Sequence, residues 1–351
     1  MTSHLRRLRT EKMNKIKSET KLCLICMEEH EVQTVLVVDT EDFKDEKVSF
    51  NANYEYCSHA DEYLETEYMI KVNSLAMKDA YRAKVGLLTS QQIIAIRDKY
   101  KVSQKAFSEI LDWGKATITR YENHQVQDRA HDDVLRKIDS DPEWFLQLLT
   151  RAKAKISEKP YIKYQEVANN EFRRMKNQYL MNSIQALYAS FIDDIITGGV
   201  ELNLNKVVEI INYYALKVTS LHTVKLMKML WYGDSLSYKR SGKSITGLVY
   251  KAYPMGAVPE GYEQILDLEG IEFEPILYDF NHIGYKFHVA KYFQIKGLAP
   301  EEVNILDTII AEVGDLNSTE IINKMHDEDA YKYTDKNCII PFSYAEKLSI
   351  Q

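Results

Sequence analysis

The sequence predicts a mainly α-helical protein with a small β-ribbon at its N-terminal end and a C-terminal, mostly helical α+β domain. Three observations predict it. Val48, Phe50, Ala52, Tyr54 and Tyr56 alternate with Ser49, Asn51, Asn53 and Glu55, the period of two of a half-buried strand. Between Leu88 and Ile138, short apolar stripes of helical period follow capping residues. From Val224 onward, a long apolar run is broken by Gly242, by Pro254 to Gly261 and by Pro275.

The chain has 351 residues, enough for two or three domains with hydrophobic cores. No apolar stretch reaches the length of a membrane span, so no membrane partner is expected. Met1 to Lys17 is basic and polar without an apolar run. It does not read as a signal peptide, and a cytoplasmic location follows. Residues 1–20 read as a disordered basic arm, or as sequence ahead of a second start at Met13. The four cysteines make a poor disulfide framework, and three of them, Cys23, Cys26 and Cys57, fall early enough to suggest a local site. Cys338 is isolated and reads as a packed thiol. The net charge of −7 is unevenly spread: Lys71 to Lys137 holds 13 Lys/Arg against 8 Asp/Glu. A basic module inside an acidic protein is suited to phosphate.

Three segments follow the arm: residues 21–67, residues 69–157 and residues 161–351, with the charged stretch Arg151 to Lys159 as the linker between the last two. The first opens with Cys23-Leu-Ile-Cys26, continues through the β-branched run Val32 to Val38, turns at the acidic residues Glu41 to Glu46 and returns along Val48 to Tyr56. A two-stranded ribbon of this size is not held by its core alone. The Cys-x-x-Cys pair forms a knuckle whose thiolates point at one metal, and Cys57 supplies a third ligand. For the fourth, His59 fits chemically although it is one residue closer than the usual spacing, and His30 is the alternative. The expected ion is a structural zinc, because no carboxylate is placed to activate a water; the competing reading is three ordinary reduced thiols.

The second segment is helical throughout. Thr89 or Ser90 caps a helix ending near Lys99, and Ser103 caps the next, whose Ala106, Phe107, Ile110 and Leu111 form one stripe. Asp112-Trp113-Gly114 makes a tight turn, with Gly114 free to take positive φ. The following helix, Lys115 to Asn123, buries Ile118 and Tyr121 and leaves Lys115, Ala116, Thr117, Thr119 and Arg120 available. A short helix with a small, polar, cationic face suits the major groove. Arg120 is placed to pair with a guanine and Thr117 to meet a base or a thymine methyl, while Ser103, Gln104 and Lys115 suit backbone phosphates. Thr119-Arg120-Tyr121-Glu122-Asn123 resembles the helix end of Cro/repressor-type helix-turn-helix domains. With the preceding Cys-x-x-Cys ribbon, the arrangement is similar to the MqsA class of antitoxins, which implies toxin contact through the ribbon and promoter binding through the helices. That class closes its ribbon with Cys-x-x-Cys-Gly-Glu. Here Ala60 stands where the fourth cysteine would be, which departs from a four-cysteine site.

In the third segment, Leu226, Met229, Leu230 and Gly233 make one packed helix face, flanked by Trp231 and Tyr238. The segments Lys228 to Tyr232, Gly242 to Ile245, and Met255-Gly-Ala-Val258 with Tyr262 match, in order, the motifs of the Panacea (SocA-like antitoxin) domain, with Ala257 replacing a proline. The resemblance implies neutralisation of a protein toxin by direct contact and leaves the toxin unidentified. Gly242-Lys-Ser244 lacks the upstream glycine of a phosphate-binding loop. His282, His288 and His326 lack the spacing of a metal hydrolase. The expected protein is therefore not an enzyme. It is a homodimeric antitoxin that binds double-stranded operator DNA and a cognate toxin, or else a transcriptional regulator whose C-terminal domain senses a ligand or a phage protein.

Overall fold

The computed structural model describes residues 13–279 and 282–351. The alternation along Val48–Tyr56 is realised as a strand, and it is longer and better supported than a ribbon. Strands β1 (Asn14–Leu22), β2 (Glu29–Phe43), β3 (Glu46–Cys57) and β4 (Glu62–Leu64) form one antiparallel sheet in sequence order. Residues 14–20, expected in a disordered arm, thus pair with β2, Lys21 standing opposite His30; residues 1–12 of that arm lie outside the described residues. β1 escaped recognition because its burial does not alternate: most of its side chains are exposed.

One face of this sheet is covered by helix α1 (Glu67–Lys84), which begins at Thr66, whose side chain accepts from the Met69 amide. Ala76, Met77 and Ala80 of α1 pack on Val35, Val37, Phe50, Ala52 and Tyr54. Small residues on the helix let it approach the sheet closely, so the lobe has the core that a two-stranded ribbon lacks. The Asn73 side chain also pairs with the β3 backbone. Its Oδ1 accepts from the Asn53 amide at 2.8 Å, and its Nδ2 donates to the Asn53 carbonyl at 2.8 Å. At the hairpin tip, Lys84 Nζ donates to the Lys47 carbonyl at 2.8 Å, and Tyr81 meets Phe43 edge-on.

Next come five short helices, α2 (Ser90–Lys99), α3 (Gln104–Ile110), α4 (Thr117–Asn123), α5 (Arg129–Ser140) and α6 (Pro142–Arg151). Capping explains their starts: Thr89 closes a capping box with Gln92, Ser103 accepts from the Ala106 amide, and Asp128 and Asp141 each accept from an amide three residues on. Leu88, Ile93, Ile96, Tyr100, Phe107, Ile118, Leu135, Ile138, Phe145 and Leu149 make their core. The turn before α4 is organised differently from expectation. Asp112, not Gly114, takes the left-handed conformation, with φ of 57°. Asp tolerates this region because its short polar side chain is accommodated there, and Trp113 N–H then closes onto the Ser108 carbonyl at 2.9 Å.

The stretch Arg151 to Lys159, read as a linker, is a turn of 3₁₀ helix (Lys153–Lys155) and the start of α7 (Glu158–Tyr188). Tyr161, Tyr164 and Ala168 of α7 belong to the core of the five helices. The chain divides into two units, Met1–Phe172 and Arg173–Gln351.

The second unit contains α8 (Asp194–Thr197), α9 (Leu204–Lys217), α10 (Thr223–Ser241), the hairpin β5 (Tyr250–Tyr253) and β6 (Gly256–Pro259), α11 (Tyr262–Leu266), the hairpin β7 (Glu272–Asp279) and β8 (His282–His288), and α12 (Pro300–Val313), α13 (Ser318–Asp327) and α14 (Asp329–Lys332). Instead of burying one face, α10 is buried on every side from Lys225 to Ser237. A helix apolar all round is a core element, yet this one carries Lys225, Lys228 and Asp234 inward.

A single buried side chain ties α1 to the five helices. Arg82, 0% exposed, donates to Asp79 Oδ1, to Gln127 Oε1 and to the carbonyls of Tyr121 and Gln125, at 2.6–2.9 Å. Replacing it leaves these acceptors buried without their donor, so Arg82→Leu is expected to cost about 3–5 kcal/mol in denaturant unfolding. Lys84→Ala, at the exposed end of the same helix, is expected to cost no more than about 1 kcal/mol.

Candidate metal centre and nucleic-acid interface

The Cys23–Cys26 knuckle is built by backbone bonds that fold the chain back on itself. The Met27 amide donates to the Cys23 carbonyl at 2.8 Å, and the Cys23 amide to the Glu28 carbonyl at 2.9 Å. This reversal puts Met27 at φ of 61°. Cys57, at the end of β3, is fully buried beside Cys23 and Val32. The fourth side chain that joins the three thiols is His30. Cys23, Cys26, His30 and Cys57 each present one ligand atom, all within 4.8 Å of one another. Strand pairing brings His30 there, since β2 begins immediately after the knuckle. His59, put first on its chemistry despite its short spacing, instead stacks on the His30 ring at 4.0 Å and pairs with Glu28 at 3.3 Å. His59 also forms a second, more exposed group with Cys26 and Glu28.

The orientation of the imidazole suits a cation, and the thiols differ: burial raises Cys26. His30 Nδ1 lies 2.9 Å from the Glu31 carbonyl, so Nδ1–H donates there and Nε2 is the atom turned to the thiols, 3.5 Å from Cys57 Sγ. A carbonyl that fixes the imidazole tautomer is the usual outer support of a metal-binding histidine. Burial pushes the Cys23 thiol up, but the amides of Cys26 and Ile25, with His30 and Cys57, outweigh it and bring it down to about 6. Three thiols and an imidazole are one of the closed tetrahedral donor sets of structural sites. In cobalt(II) titrations of the reduced chain, Cys57→Ser is expected to abolish the thiolate charge-transfer band. His30→Ala should weaken binding at least about tenfold, and His59→Ala should leave the tetrahedral spectrum in place.

The two helices assigned to a helix-turn-helix, α3 and α4, are held together and to α2 by hydrogen bonds that converge on one buried carboxylate. Glu122 on α4 is 4% exposed; its Oε1 accepts from Arg97 Nε of α2 at 2.6 Å, and its Oε2 from Gln104 Nε2 of α3 at 2.5 Å. Gln104 Oε1 in turn accepts from Thr119 at 2.9 Å. Gln104 and Thr119, expected on the outer face, are therefore half-buried and hold each other across the turn. Ser103, Lys115 and Arg120 are exposed, as are Lys105, Ala116 and Asn123 on the same side of the sequence pattern. Thr117 departs from expectation. It is 6% exposed, and its Oγ1 accepts from Arg120 Nη2 at 3.2 Å. Lying in the first turn of α4, it turns inward and steadies Arg120 instead of facing outward. The Arg97–Glu122 pair carried no sequence signal, because both residues read as ordinary surface charges.

In the second unit, Asp234 organises the connection after α10. Its Oδ1 accepts from the amides of Ile245 and Thr246, and its Oδ2 from Thr246 Oγ1 and the Tyr250 hydroxyl, at 2.5–2.9 Å. Burial raises its carboxyl above the usual range even against these four donors. The apolar run Ile245 to Tyr250 is thereby pinned to the helix. A family model described as antitoxin SocA-like, Panacea domain, matches residues 226–332. This segment is a Panacea-like domain. The motif segments Lys228–Tyr232, Gly242–Ile245, Met255–Val258 and Tyr262 all lie inside the matched span. No curated protein and no solved structure matches the chain.

Two histidines of the Panacea-like domain have partners of other kinds. His288 pairs with Glu274 at 3.1 Å, and His326 stacks on Tyr331. Among the described residues, both groups able to hold a metal ion lie in the N-terminal sheet. Cys338 is exposed and not packed, because its segment Asp335–Ile339 runs along the outer side of β5. No helix is long and apolar enough to cross a membrane among the described residues.

Proposed function

We propose that this protein is the antitoxin of a toxin–antitoxin pair and the repressor of its own operon. The observation that carries the reading is the match of residues 226–332 to the SocA-like antitoxin domain. The Panacea-like domain neutralises a protein toxin by direct contact, in a non-enzymatic role. The helices α2 to α5 act as a helix-turn-helix that binds operator DNA, as a homodimer across a palindrome. A structural zinc in the Cys23, Cys26, His30, Cys57 group fastens the start of β2 to the end of β3.

Support for the DNA-binding part comes from the geometry of α4. Exposed Arg120 on α4, with exposed Lys115 and Ala116 just before it, offers a small and cationic surface, while Ser103 stands at the start of α3. The Arg97–Glu122–Gln104–Thr119 network fixes the angle between the helices, so Arg120 is carried on a rigid support. Gel-shift titrations with the native promoter are expected to show Arg120→Ala weakening binding by about 1–3 kcal/mol and relaxing sequence preference. Unchanged affinity would refute this placement of the recognition helix.

The toxin-neutralising part is tested by co-expression. Each gene flanking this one is induced in bacteria with and without the full chain, and growth is recorded. One neighbour is expected to arrest growth and this protein to restore it, with the Arg120→Ala chain rescuing as well as the native one. If neither neighbour is toxic, the antitoxin reading fails. The second reading, a transcriptional regulator with a ligand-sensing C-terminal domain, then takes its place. It is favoured by the cavity at Lys228 described next.

A further inference from the structure

Lys228 is a motif residue of α10 whose amine the packing does not explain. It is 1% exposed, yet no hydrogen bond or ion pair reaches its ammonium among the described residues. It lines a cavity of about 350 Å³ walled by Met227, Tyr253, Pro254, Met255, Val258 and Tyr262. Those walls are largely apolar, so the amine is the dominant polar feature of the depth. Burial alone lowers Lys228 to about 7. A lysine in such surroundings escapes the cost of desolvating its ammonium by giving up the proton or by gaining an anion beside it, and the anion restores the charged form.

The loop over the amine is shaped for it. Gly256, at φ of 107°, lies so close that a Cβ there would come within 2.7 Å of Lys228 Cε and 3.3 Å of Nζ. The glycine of the β5–β6 turn and the lysine of α10 are thus one unit, the glycine leaving room for a long side chain to run beneath the hairpin. At the rim, Tyr253 and Met255 are exposed. The cavity therefore grades from an apolar, solvent-facing mouth to a buried amine. Its volume falls at the lower end of small-molecule sites.

We propose that this cavity binds a small apolar monocarboxylate, its carboxylate paired with Lys228 Nζ and its tail lying against Tyr253, Met255 and Tyr262. An acid whose carboxylate ends an unbranched or aryl-bearing tail can reach an amine at this depth. The terminal residue of a peptide cannot do so as easily, because its chain and side chain branch from the carbon that bears the carboxylate. The inference does not depend on toxin neutralisation and stands or falls separately from the co-expression result.

The experiment uses the full chain with 3-phenylpropionate and its neutral isostere 3-phenylpropanamide, followed by calorimetry and by thermal shift. The acid is expected to bind at least about tenfold more tightly than the amide, the difference a charged partner supplies. Lys228→Met keeps the length of the side chain and removes a buried charge, so it should fold and lose the preference for the acid. Equal binding of acid and amide, no binding of the acid up to about 10 mM, or a preference that survives in Lys228→Met would each overturn the proposal. A tripeptide ending in phenylalanine that out-competes the free acid would overturn the small-ligand assignment. The acid–amide comparison on the native chain keeps the test decisive if the variant is unstable.

Discussion

The N-terminal unit is organised around one guanidinium. Arg82 is fully buried and spends its donors on four acceptors drawn from α1, from the end of α4 and from the loop before α5. Arg suits this position because its planar fork holds several acceptors in fixed directions without losing its charge. Asp79, one of its partners, also accepts from the amide and hydroxyl of Ser90 at the start of α2. Gln127, another, passes the connection on to the Leu88 carbonyl and to Asp132. The helix that covers the sheet is therefore bonded to both ends of the region that presents Arg120. A displacement of α1 cannot leave α4 where it was, so the sheet that α1 covers and α4 share a rigid support.

The Panacea-like domain shows the same problem with two different outcomes on one helix. Asp234 and Lys228 are both buried in α10, and both lose water on folding. Asp234 recovers four hydrogen bonds and serves the fold by pinning the segment after the helix. Lys228 recovers none among the described residues and faces a cavity. A satisfied buried charge is explained by the architecture, whereas an unsatisfied one asks for a partner from outside. That contrast separates structural from site residues more sharply than their shared membership of the antitoxin-like span.

Much of this was legible in the residues, and the failures share a cause. The β3 alternation, the Thr89 and Ser103 caps and the order of the C-terminal motifs are local patterns, and each was readable. What depended on partners distant in sequence was not. β1 is an edge strand of exposed side chains, so it lacks the apolar alternation that marks a strand. His30, the alternative to His59 in the sequence, joins the thiols through a strand pairing that residue spacing does not reveal. Thr117 and Gln104 looked like surface residues of amphipathic helices until Arg120 and Glu122 claimed their polar atoms. Gly114 was the natural choice for positive φ, but Asp112 takes it one step earlier. Lys228 read as part of a motif, and nothing in the motif indicated that its amine would be buried alone.

The Asn73 amide pairs with both backbone groups of Asn53, doing for β3 what a neighbouring strand would do. The consequence lies in which intruders the sheet admits. With β4 covering Glu55 to Cys57 and α1 closing the middle of β3, strand addition along that side has only the three-residue β4 to work with. At the other edge of this sheet, β1 is a long strand paired on one side only. Its exposed Lys15, Lys17 and Glu19 meet any incoming strand with charge. Such edges resist indiscriminate self-association and aggregation.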